Sequence, residues 1–455
     1  MSIFRYAQQL TAVVILAINL TVLVASGMAQ PARSAAEVVT QSVTQDLSQH
    51  PAQHKAGDQT GGAALADLIE AALASNPELT AMRREFDAAR ARVPQAKALP
   101  DPVVSFMNNT QSNPIPFAGL KGDFSEITLG VSQDLPWFGV RRLRGQAASA
   151  EAEVKFQDYL SAAWQLAADV KMTYYDLYNL DRARAVLARD KDILDKIAQV
   201  AEARYSVGKA QQVDVINARV EITELTHRQG QLEAKRSVTA AQLNKLLFRD
   251  PETEVGELAA LKMSPEPPPM EELLRMASEN APDLKRNRFR IDAGNKALRL
   301  AERQARYPEV GLNFSYHNRP AFPDYYSFGV TFRLPLYAAT KQRYAVEEQT
   351  ANLAASQARL DASLSLIGYR LREARVRSTT TARLIRLHEQ GLIPQGTLAL
   401  DSALAAYQVG NVDFPTVLMA LKRVLDYELE YYELLTGYQK ALAEMERFTG
   451  VELTK

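Results

Sequence analysis

The chain has 455 residues, with Lys+Arg and Asp+Glu equal at 53 each, no cysteine and five histidines. Balanced charge argues against nucleic acid as a partner, and there is no basic stripe with interleaved aromatics. Zero cysteine excludes disulfides, thiolate metal sites and lipid attachment through cysteine.

Residues 1–29 read as an export signal. Arg5 supplies the positive start, Leu10 to Ala25 the apolar stretch, and Gly27-Met28-Ala29 the small residues before a cleavage site. An uncleaved N-terminal anchor is the other reading, disfavoured by Asn19 and the short apolar run. Residues 30–64, rich in Ala, Gln, Ser, Thr and Gly, read as a disordered leader. No later segment is apolar for the ~20 residues a membrane helix requires.

Beyond the leader the sequence is written twice. Asn76-Pro77-Glu78-Leu79 returns as Ala281-Pro282-Asp283-Leu284, Gly130 to Pro136 returns as Gly329 to Pro335, and Tyr205-Ser206-Val207-Gly208 returns as Tyr407-Gln408-Val409-Gly410. The offset stays near 200, too long for a solenoid, so each copy is a whole architectural unit. The units are 65–250 and 270–450, joined by a stiff linker at 251–269 that contains Pro265-Glu266-Pro267-Pro268-Pro269.

Each unit opens with a short helix, Leu65 to Ser75 or Met270 to Asn280, followed by a second that starts at Pro77 or Pro282. These second helices run to about Ala98 and Arg306, where prolines follow. The period then changes from 3.6 to 2, predicting strand hairpins at about 102–136 and 308–336. Asn113-Pro114-Ile115-Pro116 and Gly119 to Asp123 supply the first turn, Arg319-Pro320 and Pro323-Asp324 the second. In the second hairpin Val310, Leu312, Phe314, Tyr316, Tyr326, Phe328, Val330, Phe332 and Leu334 share one face. Gly, Asn, Ser, Thr, His317 and Arg333 share the other. This pattern suits a membrane barrel with lipid outside and water inside, and Trp137, Phe138 and Tyr337 are candidates for an interfacial girdle. A soluble sheet with one buried face is the alternative. Four strands cannot close a barrel, whereas three chains would give twelve.

Helical hairpins follow at about 139–248 and 339–449. Leu160, Ala163, Ala167, Val170, Tyr174 and Leu177 form one coiled-coil stripe. Val417, Leu421, Val424, Glu428, Tyr431, Leu435, Tyr438, Leu442 and Met445 form another, which Glu428 breaches. Pro394, with Gly391 and Gly396, is expected to interrupt the third long helix. The helices reverse at Gly208 and Gly410, and Asp214 and Asp413 lie where returning helices begin.

No nucleophile elbow, phosphate loop or H-E-x-x-H motif is present, and no cofactor or structural metal is expected. His50 and His54 share an i, i+4 spacing in the leader, which is unspecific. His227 and His388 read as helix-face residues, and His317 as a pore-lining or surface residue.

Over residues 65 to 450 the pattern resembles the TolC-like outer-membrane factor family. The resemblance rests on Arg204-Tyr205-Ser206-Val207-Gly208 with Asp214-Val215 and Asn217-Ala218-Arg219, on Tyr407-Gln408-Val409-Gly410, and on the duplication. Gln133-Asp134-Leu135-Pro136-Trp137-Phe138-Gly139 is similar to the strand-to-helix passage of its heavy-metal branch. The resemblance implies a mainly α protein with a membrane β-barrel part. A homotrimer would form a twelve-stranded barrel in the outer membrane and an α-helical tunnel in the periplasm. It further implies a periplasmic membrane-fusion adaptor and an inner-membrane pump of the RND or ABC type as partners. By the same resemblance Val207, Gly208, Val409 and Gly410 become adaptor-contact tips. Asp214, Asp413 and Thr416 become candidates for an entrance gate. Many relatives place an aspartate at the position of Thr416, so a second-repeat acidic ring is not expected in its usual form. Val412 and Met419 also stand where charges occur in relatives, and the missing cysteine departs from lipid-anchored members. The expected function is passive conduction in an efflux pump or type I secretion system, not catalysis. A soluble periplasmic coiled-coil scaffold is the competing reading.

Overall fold

The computed structural model describes residues 64–110 and 125–453. The expected export signal and most of the leader lie outside the described residues, as do the turn residues between the first two strands. Helices α1 (Leu65–Ser75) and α2 (Pro77–Lys97) lead into β1 (Val103–Asn109) and β2 (Glu126–Leu135), followed by α3 (Val140–Ser206) and α4 (Gln212–Leu246). The order then repeats as α5 (Met270–Asn280), α6 (Pro282–Arg306), β3 (Glu309–Asn318), β4 (Tyr325–Arg333), α7 (Arg343–Leu387), α8 (Ile393–Val409) and α9 (Phe414–Thr449).

Proline at the first position of α2 and α6 is preorganised for a helix and lacks an N–H that would be orphaned there. Asn76 also accepts from the Glu78 and Leu79 N–H groups at 2.8 and 3.2 Å, whereas its counterpart Ala281 has no side chain to do so.

The four strands form one antiparallel sheet in the order β1-β2-β3-β4, so β2 and β3 pair across the two repeats. Val310 lies opposite Phe332, Leu312 opposite Val330, Phe314 opposite Phe328 and Tyr316 opposite Tyr326. Leu129 and Val131 of β2 extend this face toward Phe106 and Val104 of β1. The register therefore keeps one apolar, aromatic face unbroken across both repeats.

Helix α3 has 67 residues and is about 100 Å long. It packs against α1, α2, α4, α6 and α9, which explains why its buried residues exceed a single stripe. Val170, Tyr174 and Leu177 are buried as the heptads predict, but so are Leu166, Ala168 and Tyr175. Two cores are repeat equivalents. Leu68 and Ala72 of α1 pack with Val170 and Leu177, while Leu273 and Ala277 of α5 pack with Leu371 and Leu442. The third core lies toward the helical reversals and is shared, with Leu187, Leu194 and Ala201 of α3 meeting Leu225 of α4, Leu400 of α8 and Leu421 of α9.

Pro394 does not break the third long helix. A five-residue π turn, His388–Leu392, joins α7 to α8, and Ile393 N–H bonds to the His388 carbonyl. The wider turn accommodates a ring that would clash with the preceding turn of an α-helix. His388, expected on an ordinary helix face, is buried at 2% exposure.

Candidate functional site at the two ends of the protomer

The helical reversals share one geometry. Gly208 has φ +73° and Gly410 has φ +89°. Gly208 N–H bonds to the Tyr205 carbonyl at 2.9 Å and Lys209 N–H to the Arg204 carbonyl at 2.8 Å. In the second copy Gly410 N–H reaches Tyr407 at 3.0 Å and Asn411 N–H reaches Ala406 at 2.9 Å. Both are Schellman caps, which require a left-handed residue and so favour glycine. This explains the duplicated Tyr-x-Val-Gly. Each cap also projects an exposed valine, Val207 and Val409.

The side chains around the caps differ. Tyr205 is 47% exposed, whereas Tyr407 is 3% exposed. Arg204 covers it, with its guanidinium carbon 4.6 Å from the ring centroid, and Phe414 meets it edge-on at 6.1 Å. Burial, then the nearby Asp214 carboxylate, pushes the Tyr407 phenol up, against the pull of Arg204. The structure thus brings Arg204, Asp214 and Tyr407 together across the two repeats. Arg204 also donates to the Lys209 carbonyl at 3.2 Å and would lie 3.2 Å from a Cβ at Gly410.

Asp413 and Thr416 form a separate pair. Asp413 is the N-cap of α9, accepting from the Thr416 N–H at 3.2 Å and from the Thr416 hydroxyl. The hydroxyl, then the N–H, hold its carboxyl below the ordinary value. A carboxylate capping its own helix is oriented by that helix, and Thr416 serves it rather than projecting alone. Asp214 instead lies in the first turn of α4, where the helix dipole favours negative charge.

At the other end, the apolar sheet face is bare. Phe106, Tyr326, Phe328 and Phe332 are all more than half exposed. No described helix is long and apolar enough to cross a membrane. A strand of ten residues is ~34 Å long and, tilted ~45°, spans about 24 Å, close to the apolar band of a membrane barrel. On the polar face, His317 bonds to Thr128 Oγ1 at 3.1 Å and Ser327 Oγ at 3.0 Å, and stacks on Tyr325 at 4.2 Å. Below the sheet, Trp137 stacks on Tyr307 at 5.3 Å, while Phe138 and Tyr337 are 84% and 73% exposed. The soluble-sheet alternative needs a cover for the apolar face, and among the described residues nothing provides one.

Two polar groupings went unrecognised in the sequence. Asp190 continues the spacing of Leu187 and Leu194, so it breaches the α3 stripe as Glu428 breaches that of α9. The two breaches meet through Arg189, which bonds Asp190 Oδ1 at 3.0 Å and also Glu428. Lys171 and Glu446 form a buried pair at 2.6 Å. The phase of Asp190 was readable, but which partner stripe it would meet was not.

A sheet with one lipid-compatible face and open edges, carried on paired helices about 100 Å long, defines a subunit of an outer-membrane channel. The chain belongs to the outer membrane efflux protein family, whose model matches residues 68–247 and 273–451. It is 22% identical over 407 residues to the cobalt-zinc-cadmium resistance protein CzcC of Cupriavidus metallidurans, covering 86% of this chain and 91% of that one. The fold is similar to that of the outer-membrane channel OprN, with a TM-score of 0.73 at 18% identity, covering 86% of this chain and 93% of that one. It is also similar to VceC from Vibrio cholerae, with a TM-score of 0.72 at 18% identity and coverage of 86% and 96%. The chain is therefore an outer-membrane channel component of an efflux system, with its helical part in the periplasm.

Proposed function

We propose that three copies assemble into a continuous duct that conducts divalent metal cations passively from a periplasmic adaptor and an inner-membrane pump to the outside. The carrying observation is the polarity of the protomer: an open-edged sheet with a bare apolar face lies at one end of α3, and two matching Schellman tips lie at the other. Among the described residues strands β1 and β4 each lack a partner on one side, and an unpaired edge cannot face lipid, so neighbouring copies supply the pairing in this reading. Val213, Ile216 and Val220 on α4 and Leu366, Tyr369 and Val376 on α7 are exposed apolar residues suited to the same neighbours.

In this reading Val207, Gly208, Val409 and Gly410 meet a membrane-fusion adaptor, and the pump behind it is of the RND or ABC type. Arg204, Asp214 and Tyr407 hold the entrance closed, and an adaptor that binds the splayed state better shifts the population toward it. Asp413 and Thr416 shape the second tip. Trp137, Phe138 and Tyr337 form the periplasmic-side girdle. The similarity to CzcC and the Pro136-Trp137-Phe138-Gly139 passage support metal cations as cargo.

Deletion of the chain from its host tests the cargo: tolerance to cobalt, zinc and cadmium should fall and return on complementation. Photo-cross-linkers at Val207 and Val409 test the docking: both should capture one adaptor. Unchanged metal tolerance would remove the cargo assignment, and failure to trap an adaptor at either valine would remove the docking role.

A further inference from the structure

His388 opens the π turn between α7 and α8 and is buried against α9. Its Nδ1 lies 2.9 Å from the Leu384 carbonyl oxygen. A carbonyl can only accept, so Nδ1 carries a proton in this arrangement. Nε2 is consequently the free position of the neutral ring. It lies 3.3 Å from Glu430 Oε2 on α9 and makes no hydrogen bond. In the neutral imidazole, a lone pair and a carboxylate oxygen face each other, both acceptors. A second proton converts the same contact into a charge-assisted N–H to carboxylate bond.

The surroundings leave Glu430 as the partner. Tyr427, also on α9, presents its ring at 6.2 Å, nearly perpendicular to the imidazole. Glu428 is engaged by Arg189 of α3, and Lys422, further along α9, is paired with Glu221 of α4. Glu389, next to His388, is exposed and contributes to raising the Tyr431 phenol after burial of that phenol. On the preceding turn, Arg386 pairs with Glu266 of the linker at 3.1 Å.

The π turn is the one departure from α geometry between Arg343 and Val409. Inserted π turns are places where a long helix can bend. We propose that His388 is a proton-operated clasp on this hinge. When doubly protonated it ties the π turn to α9 through Glu430. When neutral it releases the turn, and α8, which carries the second tip, moves more freely against α9. The clasp depends on neither the cargo nor the adaptor.

Hydrogen–deuterium exchange of the purified full chain in detergent tests it, with rates at pH 5.5 and 8.0 each divided by the intrinsic chemical rate. Peptides covering 388–400 should show about tenfold more protection at pH 5.5, the size expected for one charge-assisted bond. Peptides covering 160–168 of α3, away from the Asp190 link, report the background, and the 388–400 difference should exceed theirs. Glu430→Gln, at a side chain 56% exposed, should abolish the excess while leaving the fold intact. His388→Gln should do the same. Equal protection at both pH values in the unmodified chain, or an excess that persists in Glu430→Gln, would overturn the clasp.

Discussion

Arg204 of the first repeat lies face-on over Tyr407 of the second, its guanidinium carbon 4.6 Å from the ring centroid. This contact joins the ends of α3 and α8 just before their respective reversals. A cation over a partly desolvated aromatic ring contributes roughly 0.5–2 kcal/mol. Removing it with Arg204→Ala should favour the open entrance by about 2- to 30-fold in population, one factor of ten per 1.4 kcal/mol. Single-channel recording in planar bilayers should register more frequent or larger openings. Arg204→Lys should give a smaller change, because an ammonium lacks the planar stacking surface.

The tip glycines differ in what a side chain would meet. A Cβ at Gly208 would have no neighbour within 4 Å, whereas one at Gly410 would lie 3.2 Å from Arg204. Gly208→Val therefore acts through backbone strain alone, about 1–2 kcal/mol for a left-handed residue. Gly410→Val adds displacement of Arg204. Both should abolish export while trimers remain in the outer membrane, and only Gly410→Val should also alter channel opening in the absence of an adaptor. Export assays beside bilayer recordings separate the two effects.

The strand register was legible from alternation: the residues from Val310 to Phe332 assigned to one face do share it, while Leu334 falls just past the end of β4. The tips were legible because a Schellman cap imposes glycine at one position in each copy. The Arg204–Tyr407 contact was not, since two identical motifs gave no reason for Tyr407 to be buried and Tyr205 exposed. That difference comes from the packing of α8 against α3 and α9, a relation between distant segments. Pro394 was legible as a disturbance but not as a π turn, because the proline gives the clash and the surrounding bundle decides whether the helix widens or breaks.

Phe328 and Thr331 test the two faces of the barrel. Phe328 sits opposite Phe314 on the apolar face, and Thr331 opposite Gly311 on the polar one. Phe328→Arg should destabilise the assembled barrel by about 2–4 kcal/mol, the penalty for arginine facing mid-bilayer lipid. Thr331→Arg should be far better tolerated. Heat-modifiable migration on gels of membrane fractions should show loss of the assembled species for the first substitution only.

Lys171 and Glu446 are buried together, and Glu446 also accepts the Leu453 N–H at 2.8 Å. Glu446→Ala removes the 2.6 Å partner of the buried Lys171 ammonium, which keeps a longer contact of 3.8 Å with Glu452, and should lower stability by about 3 kcal/mol, the low end for a broken buried pair. It should also release the residues after α9 to protease. The double substitution Lys171→Met, Glu446→Met should recover most of the stability but not the protease resistance, because the acceptor for Leu453 is still missing. Thermal unfolding and limited proteolysis, run on the same preparations, read the two effects.

Asp190 gives a pH dependence of opposite sense to that of an ordinary salt-bridged carboxylate. Burial lifts its carboxyl above the usual range, the Arg189 hydrogen bond and charge pull it down, and the Glu428 charge pushes it up again, with a net rise. A carboxyl raised in the folded state binds its proton more tightly there than when unfolded. Its ionised form therefore costs stability above the raised value, the cost fades as pH falls through that value, and it is gone below the unfolded value of about 3.9. Asp190→Asn mimics the neutral acid in shape. It should raise the unfolding midpoint at pH 7.5 and leave it unchanged near pH 3.5, in melts followed by helical circular dichroism. A loss of stability at pH 7.5 would instead mean that the Arg189–Asp190–Glu428 link holds α3 and α9 together more strongly than burial of the charge opposes it.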